Sequence, residues 1–221
     1  ATISATLNGT PITGSGSATV TYAAGTATQI AENGGNNQTA TAGTALPSAP
    51  SVVVRDANGN PVSGVNVTFT VTAGSGAITP AGPTVATVAT NASGVASLST
   101  WTLGATAGTN TITAAATGLS GSPVTFNATG MIGAASGATS QITTNTGAVT
   151  SGGTASVTVQ LRDANNNNLV VSGGAVTLSA NIGTIGAVTN NGNGTYTALF
   201  TGTMVMVTAP GGFGLLLERP G

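Results

Sequence analysis

The stretch VVVRDANGNPVSGVNVTFTV has a second copy later in the chain, VTVQLRDANNNNLVVSGGAVTLS. Arg55, Asp56, Ala57 and Asn58 fall on Arg162, Asp163, Ala164 and Asn165. Val52 and Val54 fall on Val159 and Leu161, the same face of the equivalent strand. A self-similar period of this kind means that one structural unit is used twice. The two copies begin near residues 28 and 137, and GMIGAASGA (130–138) reads as the linker between them.

Within each copy the apolar residues alternate. In VNVTFTV, Val65, Val67, Phe69 and Val71 share one face, and Asn66, Thr68 and Thr70 share the other. That is a strand with one buried and one wet face. The same period marks SVVVR (51–55), VASLSTW (95–101), TNTITAA (109–115), PVTFNAT (123–129), ASVTVQL (155–161), AVTLS (175–179) and GTYTALF (194–200). Turn clusters of Gly, Asn, Ser and Thr separate them. Short strands with frequent turns and no helical period predict an all-β chain of packed sheets, in tandem β-sandwich domains.

The opening stretch, ATISATLNGTPITGSGSATVTY, also reads as two strands and a turn. It resembles the end of the first copy, TNTITAAATGLSGSPVTFNATG. Ile3 falls on Ile112, Val20 on Val124 and Tyr22 on Phe126, with a longer loop between. A start at Ala1 without Met is that of a processed chain or an excerpt. The second copy follows its sister as far as NGNGTYTALFTGT, then departs into MVMVTAPGGFGLLLERPG. The expected division is therefore 1–27 as a strand pair, 28–130 as a complete domain, 131–203 as a domain short of its last strands, and 204–221 as a tail. That tail reads as a frayed end, a cloning remnant or a strap on a neighbour.

Charge excludes several functions. The chain has three Arg, no Lys and four acidic residues. Nucleic acid binding requires a basic footprint to displace counterions, and an anionic membrane surface requires a basic patch. No apolar run reaches the ~20 residues that span a bilayer. Sheet edges are commonly guarded by Lys, and that guard is missing, so edge-to-edge assembly meets little opposition.

Chemistry is equally bare. There is no Cys, His or Lys, so the usual bases and nucleophiles are absent and no disulfide forms. Asp56 and Asp163 lie in equivalent turns of different domains, which sets them farther apart than a glycosidase pair. No catalytic residue is expected. The turns DANGN (Asp56, Asn58, Asn60) and DANNN (Asp163, Asn165, Asn167) echo the start of a calcium loop, and calcium is the one cofactor they suggest. Neither is followed by the distant bidentate Glu such a loop needs, and Asp and Asn favour turns on their own account. Trp101, the single tryptophan, is expected in a core or junction, with a sugar-stacking surface as the rival. The Asn-X-Ser/Thr triplets are read as composition.

The signatures VVVRDANGNPVSGVNVTFTV, TNASGVASLSTWTLG, AGTNTITAAATGLSGSPVTFNATG and NGNGTYTALFTG resemble the bacterial immunoglobulin-like (Big-1 type) repeats of the intimin and invasin adhesins. The resemblance covers nearly all of residues 1–203. It implies tandem immunoglobulin-like β-sandwich domains in a rod-like, extracellular protein of the bacterial surface. It implies adhesion or reach, toward a host or neighbouring-cell surface, and not catalysis.

Joining the surplus strands to the short domain gives the expected assembly. Residues 1–22 of one subunit complete residues 137–203 of the next, a form of β-augmentation that yields a head-to-tail homo-polymer. The expected interface residues are Ile3, Ala5, Leu7, Val20, Tyr22, Tyr196 and Leu199. Two other readings stand beside it. The chain is an excerpt of a longer adhesin stalk, or it is a carbohydrate-binding module using Trp101, Tyr22 and Tyr196.

Overall fold

The computed structural model describes residues 6–8, 10–11, 23–80, 82–203, 208–209 and 212–213. Every regular element among them is a strand, so the chain is all-β. No helix among the described residues is long and apolar enough to cross a membrane.

Strands β1 (Thr6–Leu7) and β2 (Thr10–Pro11) form a small hairpin, with Leu7 opposite Thr10. The first copy then contributes β3 (Ala27–Gly34), β4 (Gln38–Thr41), β5 (Ser51–Asp56), β6 (Asn66–Ala73), β7 (Ala77–Thr79) and β8 (Val85–Ala89). It continues with β9 (Val95–Ser97), β10 (Thr100–Thr102), β11 (Gly108–Ala115) and β12 (Val124–Met131). One sheet has the order β4-β12-β11-β6-β8, with β4 parallel to β12. Another has the order β3-β5-β9, and β7 and β10 pair separately.

These sheets enclose an apolar core because alternate residues point inward. Val67 and Phe69 of β6, Ile112 and Ala114 of β11, Phe126 of β12, and Val52 and Val54 of β5 are fully buried. The layered sheets with their common core form an immunoglobulin-like β-sandwich.

The stretch 95–101 is not one strand. It divides into β9 and β10, and the Ser99 N–H turns to the Thr79 carbonyl at 3.0 Å. The bend resolves a conflict of phase. Leu98 and Trp101 point opposite ways on a straight strand, yet both are buried, at 3% and 0% exposure. At the end of the first sandwich β12 runs on through Met131, into the stretch expected as linker.

The second copy contributes β13 (Gln141–Thr144), β14 (Thr154–Gln160), β15 (Thr184–Ile185), β16 (Thr189–Asn190) and β17 (Thr195–Thr201). They form one sheet in the order β13-β14-β17-β15, with β16 also on β17. The strand expected over 175–179 does not form. Its sister β6 is held between β11 and β8, and 175–179 has no ladder partner among the described residues. Alternation marks which face a segment buries, but a strand also requires a neighbour for its N–H and C=O groups. Finally β18 (Thr208–Ala209) and β19 (Gly212–Phe213) pair with each other.

Candidate functional site: twin aspartate turns and an open sandwich face

The two DAN turns are built alike. Asp56 Oδ1 accepts from the backbone N–H groups of Asn58 and Asn60, each at 2.9 Å. Its Oδ2 accepts from Gly25 N–H at 2.8 Å and Asn60 Nδ2 at 3.0 Å. In the second copy Asp163 Oδ1 accepts from Asn165 and Asn167 N–H, each at 2.9 Å. Its Oδ2 accepts from Gly133 N–H and Asn167 Nδ2, both at 2.9 Å. The fourth residue of the turn has positive φ in both, Gly59 at 83° and Asn166 at 70°. Glycine adopts that conformation freely, and Asn is among the side chains that tolerate it.

Both aspartates are buried, and four donors meet each carboxylate. Hydrogen bonds to the charged form favour it. The Asn60 side chain first, then Gly25 N–H, hold Asp56 at about 2, against an opposing pull from burial and with further help from Asn60 and Asn58 N–H. At Asp163 burial is the largest influence and pushes upward. The Gly133, Asn167 and Asn165 donors outweigh it, so this carboxyl also lies below the usual range. With two donors on each oxygen, the carboxylates act as turn clamps. Their lone pairs are already used, and the plain-turn reading fits these positions better than a calcium loop.

The clamp at Asp163 has a further consequence. It fixes Asn165 and Asn167 where the second copy meets the first. Asn165 Nδ2 donates to the Ala42 carbonyl at 2.8 Å. Asn167 Nδ2 donates to the Ala105 carbonyl at 2.9 Å, and its Oδ1 accepts from Ala107 N–H at 2.9 Å. The segment entering the second copy is tied to the same aspartate through Gly133. Sequence reasoning weighed these asparagines only as turn formers or ligands. No sequence signal marks these contacts, because their partners at Ala42, Ala105 and Ala107 are backbone groups.

The second feature is an apolar face left open. Among the described residues, seventeen buried ones form the core cluster of the first sandwich and four that of the second: Val159, Leu161, Leu169 and Tyr196. The difference arises because β11 and β12 cover the first core, and no described residue covers the second in that way. Val176 and Leu178, which align with the fully buried Val67 and Phe69, are only partly buried. A cavity of about 580 Å³ opens there, lined among others by Ile142, Val157, Leu178, Ile185 and Phe200. Ile142 is 62% exposed, far above what an ordinary core residue shows.

The expected interface residues fall unevenly on this picture. Ile3, Ala5, Val20 and Tyr22 lie outside the described residues, and for Leu7 only the β1 backbone pairing is described. Tyr196 is buried in the closed part of the second core, and its hydroxyl donates to the Gly174 carbonyl. Leu199 is exposed on the outer face of β17, while Phe200 lines the cavity. Trp101 and Tyr196 are both buried, so neither offers a ring for a sugar to stack on.

Residues 136–210 match the family described as invasin, domain 3. That stretch is a domain of the intimin/invasin immunoglobulin-like type. No curated protein matches the sequence. Among solved structures the chain is similar to the Escherichia coli adhesin FdeC, at 20% identity and a TM-score of 0.48, over 90% of this chain and 64% of that one. It is similar to invasin, described as a bacterial integrin-binding protein, at 22% identity and 0.40, over 81% and 34%. It is also similar to domains 4–9 of the surface layer protein SbsC, at 17% and 0.34, over 87% and 28%. The chain therefore spans less than two thirds of each of these.

Proposed function

We propose that this chain is a non-enzymatic structural and adhesive protein of the bacterial surface, with sandwiches at 28–130 and 131–203, and that it assembles head-to-tail. The strand pair at 1–27 of one copy fills the open face of the second sandwich in another, and 204–221 is a tail outside both sandwiches. The resulting fibre extends toward a host or neighbouring-cell surface.

The observation that carries this reading is the uncovered apolar face with its cavity of about 580 Å³. Exposed apolar surface of that kind is removed from water at roughly 25 cal/mol per Å², which makes a fitting strand pair a strong occupant. The first sandwich offers a parallel that supports this reading. Ile112 and Phe126 of β11 and β12 are fully buried there, and Ile3 and Tyr22 align with them. In the same alignment the Leu7–Thr10 turn coincides with the Ala116–Leu119 turn, where Leu119 N–H meets the Ala116 carbonyl at 3.4 Å. An adhesive role is supported by the match of residues 136–210 to an invasin domain.

The test is electron microscopy and SDS gel analysis of the 221-residue chain with and without residues 1–22. The full chain should give fibres and an SDS-resistant ladder, and the deletion should give monomers alone. A full chain that stays monomeric at high concentration overturns the proposal.

A further inference from the structure

A second contact between copies follows from the equivalence of the two aspartate turns, and it rests on the head-to-tail reading. At the junction inside the chain the clamp of Asp163 presents Asn165 and Asn167 to the far end of the preceding sandwich. Asp56 builds the same clamp on Asn58 and Asn60, with Gly25 in the place of Gly133. Yet the Asn58 side chain and the Asn60 Oδ1 have no hydrogen-bond partner among the described residues, and both side chains are exposed. A docking face is thus assembled at the head of the first sandwich.

Its counterpart is also present. The Ala42 carbonyl that receives Asn165 sits in the Thr41–Thr44 turn. There Thr44 N–H meets the Thr41 carbonyl at 3.0 Å, and Gly43 N–H meets the Gly104 carbonyl at 2.8 Å. The second sandwich repeats this turn at Thr150–Gly153. Gly153 N–H meets the Thr150 carbonyl at 2.8 Å, and Gly152 N–H meets the Gly202 carbonyl at 2.8 Å. Ser151 therefore occupies the place of Ala42. We propose that the Asn58–Asn60 turn of one copy docks on the Thr150–Gly153 turn of a second copy, with Asn58 Nδ2 donating to the Ser151 carbonyl. The junction between copies then repeats the junction within the chain. Strand filling joins the copies, and this polar contact fixes the angle between them.

The test uses the absence of native cysteine. Full chains carrying Asn58→Cys and Ser151→Cys together are treated with a short bismaleimide linker, and chains carrying Thr41→Cys and Asn165→Cys, two exposed positions beside the Asn165–Ala42 hydrogen bond, serve as the control within one molecule. The first pair should give a covalent ladder of dimers, trimers and higher species. The control should cross-link without any change in mass class. Fibres that form but yield no ladder overturn the docking and leave strand filling intact. Loss of both fibres and ladder overturns the two together. As a second readout, Asn58→Ala should leave fibres that bend more than the parent, and unchanged stiffness counts against the contact.

Discussion

Asn165 Nδ2 reaches the Ala42 carbonyl at 2.8 Å across 123 positions of sequence, and the residue that holds it there is Asp163. The donors to its carboxylate are Gly133, Asn165 and Asn167, none of them in the first sandwich. The aspartate orders the turn, and the turn presents the asparagines.

This arrangement fixes the response to acid. Asp56 is held at about 2 against an ordinary 3.8, and Asp163 is also lowered. A carboxyl with a depressed folded value stabilises fully above its unfolded value, and that contribution declines as pH falls. The decline should begin near 3.8 and be complete near 2 for the Asp56 turn. Melting temperatures measured across that window should fall steeply in the parent. Asp56→Asn with Asp163→Asn should lower stability at neutral pH and flatten the acid slope. An acid slope identical in parent and variant contradicts the clamp.

The two cores should answer differently to truncation. Phe126 is fully buried beneath β12, so Phe126→Ala should cost about 3–5 kcal/mol in chemical denaturation. Phe200 lines the open cavity and is only partly buried. Phe200→Ala should cost the unassembled chain well under that amount and should weaken fibres instead. Equal losses for the two variants in the monomer contradict an open second face.

Two neighbouring glycines separate backbone strain from steric collision. Gly192 and Gly194 have φ of 78° and 80°. A Cβ on Gly192 meets nothing within 4 Å, whereas one on Gly194 runs into the Leu169 carbonyl. Gly192→Ala should cost about 1–2 kcal/mol, the ordinary penalty for a left-handed alanine. Gly194→Ala should cost more, because Leu161 N–H also bonds the Gly194 carbonyl at 2.9 Å. A thermal melt of each variant decides it.

Much of the first sandwich is legible in sequence because its alternation and its neighbours agree. Val67 and Phe69 are placed on the buried face by period alone, and both are fully buried. Period alone misleads at 95–101, where a bend between β9 and β10 brings Leu98 and Trp101 to one core. It misleads again at 175–179, where the inward face is correct for Val176 and Leu178 but the ladder is missing. The aspartate turns are visible as a repeated motif. Their contacts to Ala42 and Ala105 are not, since backbone carbonyls carry no sequence signature.

The proposed assembly requires the second sandwich to take up a strand pair shaped like residues 1–22. Amide hydrogen exchange over 175–179 tests it most directly, measured on the chain lacking residues 1–22, before and after addition of a peptide of those residues. Filling the face should give this segment the ladder partners that β6 has, and its exchange should slow markedly on peptide addition. Exchange over 175–179 that stays as fast with saturating peptide as without it contradicts the account.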